Sequence, residues 1–222
     1  MEAEAIALQR QASGAAGQLQ GSVRLAAPPV VASHFIAPRL VDLRKSHPGI
    51  RLELIGGKDS ANLSRREADL AVRLLKPADS GLIARRLGLL AYGLYAARDY
   101  LRRRKPETFD YLGYDDSLDH VPQQRWLLRQ AEGRPLAFAA NDLASLYLAT
   151  RSGLGVAALP HFLGAADAKL VCLAQAGAAA DREVWLLVHP DLRRAPRVRA
   201  AMDYLIALFE REKPLLAGKA AA

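Results

Sequence analysis

The sequence has little cysteine, few aromatic rings and no long apolar run. One cysteine, Cys172, occurs in 222 residues. A disulfide framework and a thiolate metal cluster within one chain are therefore excluded. Cys172 stands in the apolar run Leu170-Val171-Cys172-Leu173, which reads as a buried, inert thiol. Aromatics make up 6% of the chain, so Ala, Leu and Val must fill the core. No apolar stretch is long enough to span a bilayer. The segment after Met1 carries Glu2 and Glu4 where a signal peptide has basic and apolar regions. The expected compartment is the cytoplasm, with no membrane partner.

Catalytic patterns are missing as well. There is no G-x-S-x-G elbow, no phosphate-binding G-x-x-x-x-G-K-[ST] loop and no H-E-x-x-H. His34, His47, His120, His161 and His189 lack metal-ligand spacing. Ser33 and His34 are sequence neighbours, a poor geometry for a nucleophile–base pair on a helix. Gly153-Leu154-Gly155-Val156-Ala157-Ala158 fits the dinucleotide fingerprint G-x-G-x-x-A. That fingerprint needs a strand before it and a helix after it. Here the order is inverted, and the glycines read as a helix stop and a tight turn. Asp115, Asp116 and Asp119 lack the Gly and terminal Glu of a calcium loop and read as a solvated acidic turn. The chain is expected to be no enzyme and to carry no cofactor or metal.

Basic residues are plentiful: 31 against 23 acidic, a net charge of +8. They occur in small groups, such as Arg65-Arg66, Arg85-Arg86, Arg102-Arg103-Arg104-Lys105 and Arg193-Arg194. No aromatic interleaving or groove motif accompanies them. They read as solvated surface rather than a nucleic-acid footprint, since net charge alone bears on solubility and nonspecific contacts.

Hydrophobic periodicity organises the rest. Residues 1–20 read as a marginal helix ended by Gly21. Val23, Leu25 and Ala27 alternate as a strand, which Pro28-Pro29 ends. A helix follows with Phe35 or Ile36, Leu40 and Leu43 on one face; Pro38 marks either its start or a kink. His47-Pro48-Gly49 turns the chain into a strand at Ile50, Leu52 and Leu54. A short helix carries Leu63, and 69–73 is a third strand. This β-α-β-α-β order predicts a parallel sheet with right-handed crossovers. The apolar run 89–97 is long for one strand and suits a crossing between two lobes. Further strands are predicted at 111–114, 126–128, 136–139, 156–159, 170–173 and 183–189. Helices are predicted over 143–151, capped by Asn141 or Asp142, and from Pro196 with Val198, Met202, Leu205, Ile206 and Phe209 on one face.

Several of these segments together resemble the effector-binding domain of LysR-type transcriptional regulators. They are Gly21-Ser22-Val23-Arg24-Leu25, Ile36-Ala37-Pro38-Arg39-Leu40, His47-Pro48-Gly49-Ile50-Arg51-Leu52-Glu53-Leu54 and Ala68-Asp69-Leu70-Ala71-Val72-Arg73. The order continues through Leu82-Ile83-Ala84-Arg85-Arg86-Leu87-Gly88, Tyr95 to Leu101, Asn141-Asp142, Gly153 to Pro160 and Pro196-Arg197-Val198-Arg199-Ala200. The resemblance implies an α/β fold with two Rossmann-like lobes and a central cleft, like type II periplasmic binding proteins. It places the end of a linker helix at 1–20, lobe I at 21–93 and 190–216, lobe II at 94–189 and a disordered tail at 217–222. It also implies a small-molecule effector, a homodimer that can become a tetramer in the full-length protein, and DNA contact only through a winged helix-turn-helix preceding this segment.

Ligands of such folds meet the carboxyl ends of parallel strands. The expected ligand-binding residues are therefore Pro29, Val30 and Ser33 after the first strand, Gly57 and Lys58 after the second, Arg73 after the third, and Asn141. Lys58 and Arg73 read equally as surface or bridging salt links, and Asn141 as a helix cap alone. The family often places a Ser or Thr after the first strand to hold an effector carboxylate; here Pro28-Pro29 supply no N–H. That points to a less acidic or more apolar effector. The alternative is a free-standing solute-binding protein of a transport system.

Overall fold

The computed structural model describes residues 19–57, 68–76 and 81–219. The predicted helix at 1–20, the helix carrying Leu63, and Lys58 lie wholly or largely outside them. The described residues form two compact α/β units. One comprises Met1–Leu87 with Val184–Glu210, the other Gly88–Glu183 with Arg211–Ala222. The boundaries at 87/88 and 183/184 fall inside β-strands, whereas the sequence places them after 93, within the apolar run 89–97, and after 189.

In chain order the first unit begins with β1 (Gly21–Ala27). A wide helical turn (Val31–Ile36) and a tight one (Ala37–Arg39) then lead into α1 (Leu40–Ser46). Pro38 explains this sequence of turns. It has no N–H for a helical bond, so the backbone before it loosens, and Ala37 N–H reaches back to Ala32 O, one residue further than usual. Pro38 thus marks a change of register inside one helix rather than a start. β2 (Ile50–Gly56), β3 (Leu70–Arg73) and β4 (Ile83–Leu90) follow.

The second unit carries β5 (Tyr92–Ala97), α2 (Arg98–Leu101), β6 (Tyr111–Tyr114), α3 (Pro122–Ala131), β7 (Leu136–Ala140), α4 (Leu143–Arg151), β8 (Val156–Pro160), α5 (His161–Gly164) and β9 (Leu170–Gln175). The chain closes with β10 (Arg182–Val188), α6 (Pro196–Arg211) and α7 (Lys213–Leu216).

One sheet has the order β2-β1-β3-β10-β4, the other β7-β6-β8-β5-β9. β1 runs parallel to β2 and β3, as the β-α-β-α-β order predicts, and β10 runs antiparallel to β3. In the second sheet β6 is parallel to β7 and β8, while β5 is antiparallel to β8 and β9. The first unit is sealed by α6, whose Val198, Leu205, Leu208 and Phe209 are buried. Phe209 packs on Phe35 with ring centroids 4.8 Å apart. The core of the second unit joins Leu94, Tyr95, Leu112, Trp126, Leu127, Leu146, Val156 and Leu159.

Two expectations need correction. Residues 126–128 are helix, not strand. Pro122 opens α3, and Gln123, Trp126, Leu127 and Ala131 lie along its buried face. Cys172 is exposed, not buried. β9 is an edge strand with a neighbour on one side only, and Cys172 is one of its two exposed residues. Residues 217–219, read as the start of a tail, carry backbone hydrogen bonds: Gly218 N–H donates to Leu215 O at 3.2 Å and Lys219 N–H to Pro214 O at 2.9 Å.

Candidate functional site

In the first unit, three parallel strands end side by side. Five of the expected site residues sit at that edge: Pro29, Val30 and Ser33 after β1, Gly57 after β2, and Arg73 at the end of β3. The ends are close. A side chain on Gly56 would come within 3.6 Å of Pro29 Cα, and Gly57 N–H reaches Ala27 O at 3.4 Å. Val30 is buried, while Pro29 and Ser33 are exposed. Pro28 and Pro29 leave Val30 and Val31 as the first residues able to offer an N–H to an anion.

Ser33 is less available than its position suggests. Its Oγ lies 2.9 Å from Pro29 O and 2.8 Å from His34 Nδ1. The Ser33–His34 contact, which sequence adjacency argued against, is therefore present. It is no nucleophile–base pair, however. With the hydroxyl hydrogen given to Pro29 O, the imidazole nitrogen must donate to Oγ rather than accept from it. Arg73 is half-buried, its Nη1 donates to Val72 O at 3.1 Å, and burial lowers its pKa. Across the ladder from Arg73 stands Trp185, over whose ring Lys76 lies at 5.8 Å.

In the second unit, Asn141 is exposed and directly precedes the cap of α4. The cap itself is Asp142, which accepts from Ser145 N–H at 2.9 Å and from Ser145 Oγ at 2.7 Å. Asn141 is therefore not the capping residue, and its side chain is not tied to that role.

The carboxyl ends of this unit's parallel strands also gather residues that the sequence reading passed over. Tyr114 ends β6 and Tyr92 opens the antiparallel β5. Both are buried. Gln124 clamps Tyr114 from α3: its Oε1 accepts from Tyr114 N–H at 2.8 Å, and its Nε2 donates to Tyr114 O at 3.0 Å. Gln123 Oε1 accepts from Arg182 at 3.4 Å. Burial pushes the Tyr114 phenol up to about 12, and raises that of Tyr92 further. Both hydroxyls are therefore neutral groups that can donate or accept. Nearby in sequence, burial also raises the Asp181 carboxyl, whose Oδ1 has no hydrogen-bond partner.

The glycine pair that imitates a dinucleotide motif has a structural task. Gly153 takes a φ of +83° to end α4, and a Cβ on Gly155 would lie 2.3 Å from Asp110 O. Among the described residues no group of three His, Cys, Asp or Glu side chains is placed to hold a metal, and no helix is long and apolar enough to cross a membrane.

The chain matches the family described as the LysR substrate binding domain over residues 16–210. It is similar to the Mau operon transcriptional activator of Paracoccus denitrificans, 30% identical over 84% of this chain and 64% of that protein. It is also similar to the HTH-type transcriptional regulator CrgA of Neisseria meningitidis, 27% identical over 84% of this chain and 67% of that protein. The chain thus spans roughly two thirds of the length of these relatives. The solved regulatory domain of CrgA aligns with a TM-score of 0.69 and 25% identity, covering 85% of this chain and 98% of that domain.

Proposed function

We propose a regulatory role from one premise: this chain belongs to the LysR substrate binding domain family, the effector-binding part of LysR-type transcriptional regulators. Its two-unit α/β architecture is that of the type II periplasmic-binding-protein-like regulatory domains. The relatives are regulators of transcription, which sets aside the transport alternative.

In this reading the protein senses a small molecule and does no chemistry on it. The proposed effector contacts are Pro29, Val30, Ser33, Gly57, Lys58 and Arg73 of the first unit, and Asn141 of the second is a separate candidate. DNA is reached only through a separate domain of the full-length regulator, which works in the cytoplasm as a homodimer or tetramer. Effector binding biases one arrangement of the protein over another and so alters how DNA is held.

The supporting observation is the gathering of five of these residues at the ends of three adjacent parallel strands, where α/β folds receive ligands. Calorimetry against a panel of small carboxylates, amines and neutral aromatics tests it. The two prolines at the first turn favour a neutral or weakly acidic ligand. If no member binds, and Arg73→Ala changes no response, the site assignment is wrong. Light scattering that shows a strict monomer at high concentration would remove the dimer from the reading.

A further inference from the structure

The basic run Arg102-Arg103-Arg104-Lys105 has no part in the site described above. Two of its members, Arg103 and Arg104, line a depression of about 550 Å³ in the second unit, together with Tyr100, Asp110, Gly153 and Leu154. That volume is in the range of small-molecule sites. The depression lies at the wrong end of the sheet to be part of the effector edge. Asp110 precedes β6, and Gly153 and Leu154 precede β8, so it sits at the amino ends of two parallel strands whose carboxyl ends carry Tyr114 and Pro160.

We propose that this depression binds a second small molecule, one carrying an anionic group on an apolar body.

The charges in it are unequally committed. Asp110 accepts from the Tyr100 hydroxyl at 3.1 Å and lies 3.5 Å from Arg104. The Tyr100 hydroxyl in turn accepts from Asp110 N–H at 2.7 Å. One carboxylate thus engages one guanidinium. Arg103 is held only through Nε, which donates to Asp99 O at 3.2 Å. Its terminal nitrogens meet no acceptor among the described residues. They form a planar fork suited to two oxygens of one carboxylate or phosphoryl group.

The stem of Arg103 is anchored, so little side-chain freedom remains to be lost on binding. The end of α4 explains why an arginine rests here: a cation suits a helix C-terminus, and a terminal nitrogen lies 3.9 Å from where a Cβ on Gly153 would be. That contact leaves the fork itself open. Beside it, Leu154 is 47% exposed, a large apolar side chain that forms one wall. An arginine fork next to an exposed leucine fits a ligand with one charged end and one apolar end.

Phenylphosphonate is a suitable probe, with inorganic phosphate and phenol as its two halves. Titrations of the isotope-labelled chain are followed through backbone amide resonances. Saturable shifts are expected at Gly153 and Leu154 with phenylphosphonate, and weaker binding with either half. Arg103→Gln should weaken phenylphosphonate about tenfold, and Leu154→Ala about threefold. Arg103→Lys should fall between wild type and Arg103→Gln, because it keeps the charge and loses the fork. The proposal is overturned by the absence of saturable shifts up to about 10 mM, by an affinity unchanged in Arg103→Gln, or by equal binding of either half. Shifts confined to Ser33, Arg73 and Asn141 would report the effector edge and also overturn it. A response at Gly153 and Leu154 with none at Ser33, Arg73 or Asn141 would support the proposal, and the effector-site assignment would still stand or fall by its own calorimetry.

Discussion

The carboxyl-end edges of the two units are built in opposite ways. In the first unit the edge consists of short turns with exposed side chains, Pro29 and Ser33, whose hydrogen bonds stay within four residues. In the second it rests on buried groups, Tyr92, Tyr114 and Gln124, with Gln124 of α3 clamping the backbone of Tyr114 at the end of β6. The first edge can vary its ligand chemistry at small cost to the fold. The second cannot be altered without disturbing what holds β6 to α3.

That contrast can be broken by measurement. Gln124→Ala removes both hydrogen bonds to the Tyr114 backbone and opens space beneath a sealed helix face. Urea unfolding should show a loss of about 2–4 kcal/mol. A loss under about 1 kcal/mol would mean that the second edge is no more structural than the first. Arg73→Ala should weaken effector binding about tenfold, close to 1.4 kcal/mol, with a smaller change in unfolding. Stability falling as much as affinity would make Arg73 a packing residue.

A smaller effect comes from His161, which is buried with Nδ1 2.7 Å from the Tyr95 hydroxyl. Burial lowers its pKa, so the unfolded chain takes up the proton first as pH falls. The stability it contributes is complete above the unfolded pKa near 6.5 and is lost as pH drops through the folded one. Wild type should therefore lose more stability than His161→Gln between about pH 7.5 and 5.5; parallel curves would refute this. The smallest change is expected of Ser33→Ala, under about 0.5 kcal/mol in unfolding, since its bonds are local and exposed.

The same contrast governs what the sequence disclosed. The first edge was legible because its signals are local: alternation in β1 and β2, Pro28-Pro29 as a stop, and Gly56-Gly57 as a break. Even Pro38 announced a disturbance, though not its form. The second edge depends on side chains that sequence patterns misreport. Gln123 and Gln124 are buried polar residues, so they looked like a solvent face and hid the amphipathic stripe of α3. Trp126-Leu127-Leu128 was then left standing as a short apolar run, which periodicity cannot distinguish from a strand. Arg182 carries no sequence signal that it meets Gln123, which lies 59 residues away. The apolar neighbours of Cys172 do not report its exposure, because the edge position of β9 is a property of the sheet order.

The sealing of the first unit by α6 has a consequence for synthesis. Phe35 waits for Phe209, Arg39 O for the Tyr204 hydroxyl, and Ser22 O for Arg197. Most of the second unit leaves the ribosome before any of these partners exists. Residues 88–183 can collapse while translation continues, whereas β1, β2 and β3 must stay unsealed until α6 emerges. A pause or truncation before α6 would therefore strand the first of these two units, which is begun earlier, and not the second.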